Sequence, residues 1–240
     1  MFDITNQKLI FNYSVEKYDF QLLFFNHLKS FLPNINESFK IADLHKYFLN
    51  TPKDLITVDN DQDQEIYKLL YMIDSGYSFD GEDKSKQLFL NLFDNFVNFL
   101  ASDIFDEDLI YQSKPTLRVM FPNNKAVGDW HRDREYNHPL EEINVWVPIT
   151  SASNTNSIWL ESSFDKEDYE PANLDYGQFL IFDSGLKHGN VLNKENKTRL
   201  SFDFRVIPRS KYKEPSNASS YSQNIEFKIG HYYSETHLKQ

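Results

Sequence analysis

Residues 198–207 read Thr-Arg-Leu-Ser-Phe-Asp-Phe-Arg-Val-Ile, and their alternation decides the fold. In an extended chain successive side chains point to opposite sides. Leu200, Phe202, Phe204 and Val206 therefore form one face, and Arg199, Ser201, Asp203 and Arg205 the other. The apolar face must pack on something. The polar face then lines an interior, where a guanidinium group is costly unless an anion meets it. Asp203 can partner one of the two arginines. The other is kept for an anionic guest, and a carboxylate held by two parallel hydrogen bonds suits it.

Working outward, short segments of the same kind lie at 117–121, at 142–150 (Glu-Ile-Asn-Val-Trp-Val-Pro-Ile-Thr), at 157–162 and at 177–183. Short strands joined by turn-rich loops predict a sandwich or jelly roll. Upstream the period lengthens to that of a helix. Residues 17–32 carry Phe20, Leu23, Phe24, Leu28 and Phe31 on one stripe; 41–49 and 65–73 are shorter segments of this type, and 85–105 is the longest. Residues 75–83, rich in Gly, Ser and Asp, read as a loop. Helices in one block followed by strands in another predict an α+β protein with the helices packed on one face of a barrel. The chain divides into a mainly helical support region at 1–108, a barrel core at 109–208 and a polar tail at 209–240, whose Gly230 to Tyr233 docks back, all within one structural domain.

Composition narrows the function. A chain of 240 residues can bury a sizeable core, and 21 Phe with 14 Tyr is far from the composition of a disordered segment. A net charge of −11 disfavours nucleic acid and anionic membranes as partners. There is no cysteine, which removes disulfides, thiolate nucleophiles and Cys-rich metal sites, so any metal must be held by His and carboxylates. The N-terminal stretch lacks a basic segment followed by an apolar run, and no apolar stretch is long enough to cross a bilayer. The expectation is a soluble, cytoplasmic protein.

With seven histidines in the chain, His131-Arg132-Asp133 is weak on its own, since about one chance His-x-acid is expected. Its context is stronger. Alternate residues of an extended segment reach the same side, so His131 and Asp133 can meet one ion. His188 follows the strand at 177–183 and the turn Ser184-Gly185, and Arg199 opens the strand after it. Two imidazoles and one carboxylate on one face of a metal suit iron(II) oxygenases, whose open positions take 2-oxoglutarate and dioxygen.

His131-x-Asp133, the distal His188 and Arg199-x-Ser201 resemble the motif set of the iron(II)/2-oxoglutarate dioxygenase superfamily. The stretches at 128–133, 142–150, 156–163, 177–190 and 198–208 are most similar to its phytanoyl-CoA-hydroxylase-like and antibiotic-biosynthesis-type small-molecule hydroxylases. The resemblance implies a double-stranded β-helix, a jelly roll of cupin-like form. It also implies Fe(II) held by His131, Asp133 and His188, 2-oxoglutarate as cosubstrate, and hydroxylation of a small molecule. Arg199 would bind the distal carboxylate of the cosubstrate with help from Ser201, and Asn144 is a weaker cosubstrate candidate. Glu161-Ser162-Ser163 stands where the family has a proline-glycine-serine-histidine turn. The spacing of Arg199 and Arg205, R-x5-R, resembles the nucleobase demethylases of the same superfamily and makes Arg205 a second candidate; a metal-binding barrel without 2-oxoglutarate is the other alternative. Trp130, Arg132, Arg134 and Tyr136 flank the metal pair and are substrate candidates. His45, His138, His231 and His237 read as surface or satisfied core residues.

Overall fold

The computed structural model describes residues 3–32, 35–47, 84–125, 129–213, 219 and 225–238. The segments expected at 65–73 and 75–83 lie outside them. The 17–32 stripe forms helix α1, Phe20–Phe31, capped by Asp19, whose carboxylate accepts the backbone N–H of Leu22. A 3-10 turn at Ile41–Asp43 leads into the short helix α2, Leu44–Tyr47. Helix α3, Lys84–Phe99, runs on as a π-helical turn at Leu100–Phe105, and the wider turn keeps Leu100, Ala101 and Phe105 buried. Asp106, in the left-handed region at φ 55°, ends it. Among the described residues, no helix is long and apolar enough to cross a membrane.

The strands are β1 Lys8–Asn12, β2 Leu109–Gln112, β3 Thr116–Met120, β4 Ile143–Pro148, β5 Trp159–Leu160, β6 Glu170–Pro171, β7 Gln178–Asp183, β8 His188–Gly189, β9 Arg199–Pro208 and β10 Tyr233–Glu235. The main sheet runs β1-β7-β4-β9-β2-β10, with β3 also paired to β9, and a small sheet runs β6-β5-β8. Every pairing within the two sheets is antiparallel. The main sheet draws on both ends of the chain: β1 pairs with β7 and β10 with β2.

The two faces of the main sheet divide as the alternation in β9 requires. Leu200, Phe202, Phe204 and Val206, with Val145, Val147, Phe179 and Ile181, join the cluster built on Phe20, Phe24, Phe89, Phe93 and Phe96 of the helices. Ring contacts mark the seam, Phe20 against Phe202 at 4.9 Å and Phe93 against Phe204 at 4.9 Å. On the other face Trp146, Leu180 and Phe182 meet Ile158, Leu160 and Ala172 from the small sheet and its flanks. The result is a mixed fold of antiparallel sheets with few helices. The helices cover one face of the main sheet, and the small sheet covers part of the other.

Candidate metal centre

His131, Asp133 and His188 offer ligand atoms that all lie within 4.8 Å of one another. Local structure brings them there. The His131 N–H donates to the His188 carbonyl at 3.0 Å, and the His188 N–H returns to the His131 carbonyl at 2.9 Å. This bridge sets the imidazole centroids 4.4 Å apart. Extended Arg132 then carries the chain into the 3-10 turn Asp133–Tyr136, whose first side chain faces back toward His131. Each imidazole is oriented by a carbonyl, since His131 Nδ1 lies 2.6 Å from the Asp129 oxygen and His188 Nδ1 lies 2.9 Å from the Leu186 oxygen. A carbonyl only accepts, so each Nδ1 holds a proton and Nε2 is the atom left to a metal.

Asp133 is 2% exposed and fully engaged. Arg205 Nη2 donates to Oδ1 at 3.1 Å, and Asn144 Nδ2 donates to Oδ2 at 2.6 Å. Burial is the largest influence and works against its charge, but the Arg205 guanidinium together with His131, His188 and His138 holds the carboxyl well below the usual range. Burial pushes His188 down to about 4, so it is neutral and ready to ligate at neutral pH. Burial also opposes a charge on His131. There the Asp133 carboxylate, 3.6 Å from Nε2, prevails and raises the pKa.

The remaining polar residues of β9 follow in line. Arg205 Nη1 donates to Asp203 Oδ2 at 2.9 Å, and the other Asp203 oxygen accepts Arg118 Nε at 3.0 Å. Arg199, 1% exposed, donates from Nη1 to the Asn190 side-chain oxygen at 2.7 Å and to the Asn156 carbonyl at 3.2 Å, with its guanidinium 5.9 Å from the Trp146 ring. Ser201 Oγ is buried and meets no hydrogen-bond partner among the described residues. One cavity between the sheets is lined by His131, His188, Asn144, Trp146, Arg199 and Arg205.

The flanking substrate candidates separate. Tyr136 is 41% exposed and packs edge-on against His131 at 5.5 Å. Trp130 lies on the Gly189 backbone and on Tyr169, with ring centroids 4.2 Å apart. Arg132 is held by fully buried Glu161 at 3.0 Å and by Asp165 at 2.8 Å, and Arg134 by Asp183 at 2.7 Å. Neither arginine lines the cavity, and both have their charge answered within the chain. Asn144 lines the cavity. Its amide nitrogen is directed at the metal-facing carboxylate, because Asp133 can only accept.

Some contributors went unread in the sequence. Arg118 sits between apolar Leu117 and Val119 and so faces inward by the same period-2 rule, a signal that was available. Asn190, Gln112 and Glu142 carried none, since their partners are distant in sequence.

No family model matches the chain. It is similar to the streptomycin biosynthesis protein StrG of Streptomyces griseus, with 42% identity over 128 residues, covering 52% of this chain and 60% of StrG. The chain thus matches less than two-thirds of that relative's length. Among solved structures, EctD from S. alaskensis in its apoform superposes with a TM-score of 0.52 at 12% identity, over 92% of this chain and 82% of EctD. That likeness is one of fold. CytC3, solved with Fe(II) and alpha-ketoglutarate, gives a TM-score of 0.47 at 16% identity, over 92% and 81% of the two chains. His131, Asp133 and His188 are placed to hold a metal ion. No other group of three or more His, Asp or Glu residues among the described ones is placed to hold an ion.

Proposed function

We propose that this chain is an Fe(II)- and 2-oxoglutarate-dependent oxygenase that hydroxylates a small molecule, on a core of double-stranded β-helix form. The observation that carries the reading is the convergence of three ligand atoms, two of them on histidines in the wall of a cavity that also holds buried Arg199. The donor set suits the metal: two neutral imidazole nitrogens and one carboxylate favour a first-row dication and leave positions open. Bound Fe(II) and 2-oxoglutarate would supply an overall reaction in which R–H, O2 and 2-oxoglutarate give R–OH, succinate and CO2.

The chain's own residues do the rest. Asp129 and Leu186 keep Nε2 of each imidazole toward the metal. Arg205 keeps Asp133 ionised, and Asn144 fixes its second oxygen. Arg199 and Ser201 receive the distal carboxylate of the cosubstrate, the one by charge and the other by a hydroxyl that has no partner within the described chain. A carboxylate ligand at 133 disfavours halogenation, which requires that place for a halide. Arg205, the second arginine of the R-x5-R pair, is occupied by Asp133 and Asp203, which lowers the demethylase reading. The likeness to a streptomycin biosynthesis protein favours a small molecule of antibiotic biosynthesis as substrate.

The test is an anaerobic titration of 2-oxoglutarate into the Fe(II)-loaded chain, followed by calorimetry and by the visible charge-transfer band of the chelate. Saturable binding with the band is expected. A chain that binds Fe(II) but no 2-oxoglutarate would remove the assignment.

A further inference from the structure

We propose that the C-terminal strand is a working part of the metal centre, with Tyr233 and Glu142 as positioning residues for Asp133. The inference rests on the triad holding a metal and is independent of which cosubstrate joins it. Two routes run from β10 to the same carboxylate.

The first route passes through side chains. The Glu142 side chain is fully buried at the foot of β4. One of its oxygens accepts the Tyr233 hydroxyl, and the other lies 2.7 Å from His138 Nδ1. His138 and Glu142 bracket the connection that leaves the Asp133–Tyr136 turn through Asn137, which takes the left-handed conformation at φ 66°. Tyr233 therefore pins the far end of a short segment whose near end carries a metal ligand. The second route passes through the sheet. Tyr233 pairs with Gln112 across β10 and β2, Gln112 Oε1 accepts Arg205 Nη1 at 3.3 Å, and Arg205 Nη2 donates to Asp133 Oδ1 at 3.1 Å.

The choice of residue supports a positional role. Phe227, Tyr232 and Tyr233 surround this corner with aromatic rings, Phe227 lying 4.8 Å from His138 and 6.1 Å from Tyr233. An apolar side chain at 142 would pack here without the desolvation cost of a carboxylate, which rarely adds stability over a well-packed hydrophobic replacement. What the carboxylate adds is direction, because it holds Tyr233 and His138 in one geometry.

The test uses Co(II) as the probe, titrated under inert gas into the apo chain and its variants, read by calorimetry and by the visible Co(II) bands, with thermal unfolding alongside. Tyr233→Phe removes only the hydroxyl. It is expected to weaken Co(II) about tenfold, equal to about 1.4 kcal/mol, and to alter the bands in a chain that stays folded. Glu142→Gln still accepts the Tyr233 hydroxyl and is expected to lose about threefold or less. Phe227→Ala takes volume from the same cluster and breaks neither route, so it should lower Tm and leave the Co(II) affinity of the folded chain at the wild-type value. Wild-type Co(II) binding in Tyr233→Phe overturns the proposal, as does an equal loss in Phe227→Ala. A wild-type chain that binds no Co(II) would instead overturn the metal centre itself, and this inference with it.

Discussion

Replacing Arg199 by methionine separates the two inward arginines of β9. Methionine keeps most of the volume beside Trp146, 5.9 Å from the guanidinium, so the cavity wall survives while the charge is lost. The bonds from Arg199 to Asn190 and Asn156 disappear in free and bound chain alike, and their loss therefore falls on stability and not on affinity. What falls on affinity is the contact with the cosubstrate. A hydrogen bond to a charged group contributes about 1.5–3 kcal/mol net, which corresponds to roughly ten- to 150-fold in dissociation constant. A carboxylate left facing a dry wall adds to that, so a rise on the order of a hundredfold is expected for 2-oxoglutarate, with Co(II) or Fe(II) affinity little changed. The assay is anaerobic calorimetry at saturating metal. Arg199→Lys should recover only part of the loss, because one ammonium cannot reproduce the guanidinium fork. Arg205→Met is the internal control: it strips the ion pair from Asp133 and should cost metal affinity first. A larger loss of 2-oxoglutarate affinity in Arg205→Met than in Arg199→Met would refute the reasoning and revive the demethylase-like arrangement. No loss in either would leave a metal-binding chain with some other guest.

His131→Ala, Asp133→Ala and His188→Ala should each abolish stoichiometric Fe(II) binding in a chain with wild-type circular dichroism; near-native binding in any of them redraws the triad. Stability should fall with acid through His188, because an unfolded histidine takes its proton near 6.5 whereas folded His188 resists until about 4. The unfolded state then holds the extra proton across that window, a loss on the order of 3 kcal/mol as pH drops through it, opposed by His131, whose raised pKa adds stability as pH falls. Urea unfolding of the apo chain between pH 7 and 4 checks this, since His188→Asn should flatten the decline. Gly189→Ala places a Cβ 2.8 Å from Trp130 Cδ2, so the indole must move, and a destabilisation of about 1–3 kcal/mol with altered Trp fluorescence is expected.

How much of this was legible in the sequence depends on the range of the forces involved. The faces of β9 could be read directly, because period-2 alternation is a local property and a strand with one apolar face has a single workable register. The same rule gave β3, β4 and β7 to within a residue or two, and would have given Arg118 its inward direction. Strands β1 and β10 were not read as strands. They pair with β7 and β2, which lie far from them in sequence. The metal centre divides along the same line. His131 and Asp133 declare themselves by spacing. The partners that hold Asp133 lie on β4, β9 and, through Gln112, on β2, and sequence distance hides them. The ion pairs of Arg132 and Arg134 are hidden for the same reason: the fold brings Glu161, Asp165 and Asp183 to them from distant stretches of sequence. The sign of a charge is local information, whereas its availability is a property of the tertiary structure. That is why the role of Arg199 in binding a carboxylate is decided by the affinity of Arg199→Met for 2-oxoglutarate and not by its place in the sequence.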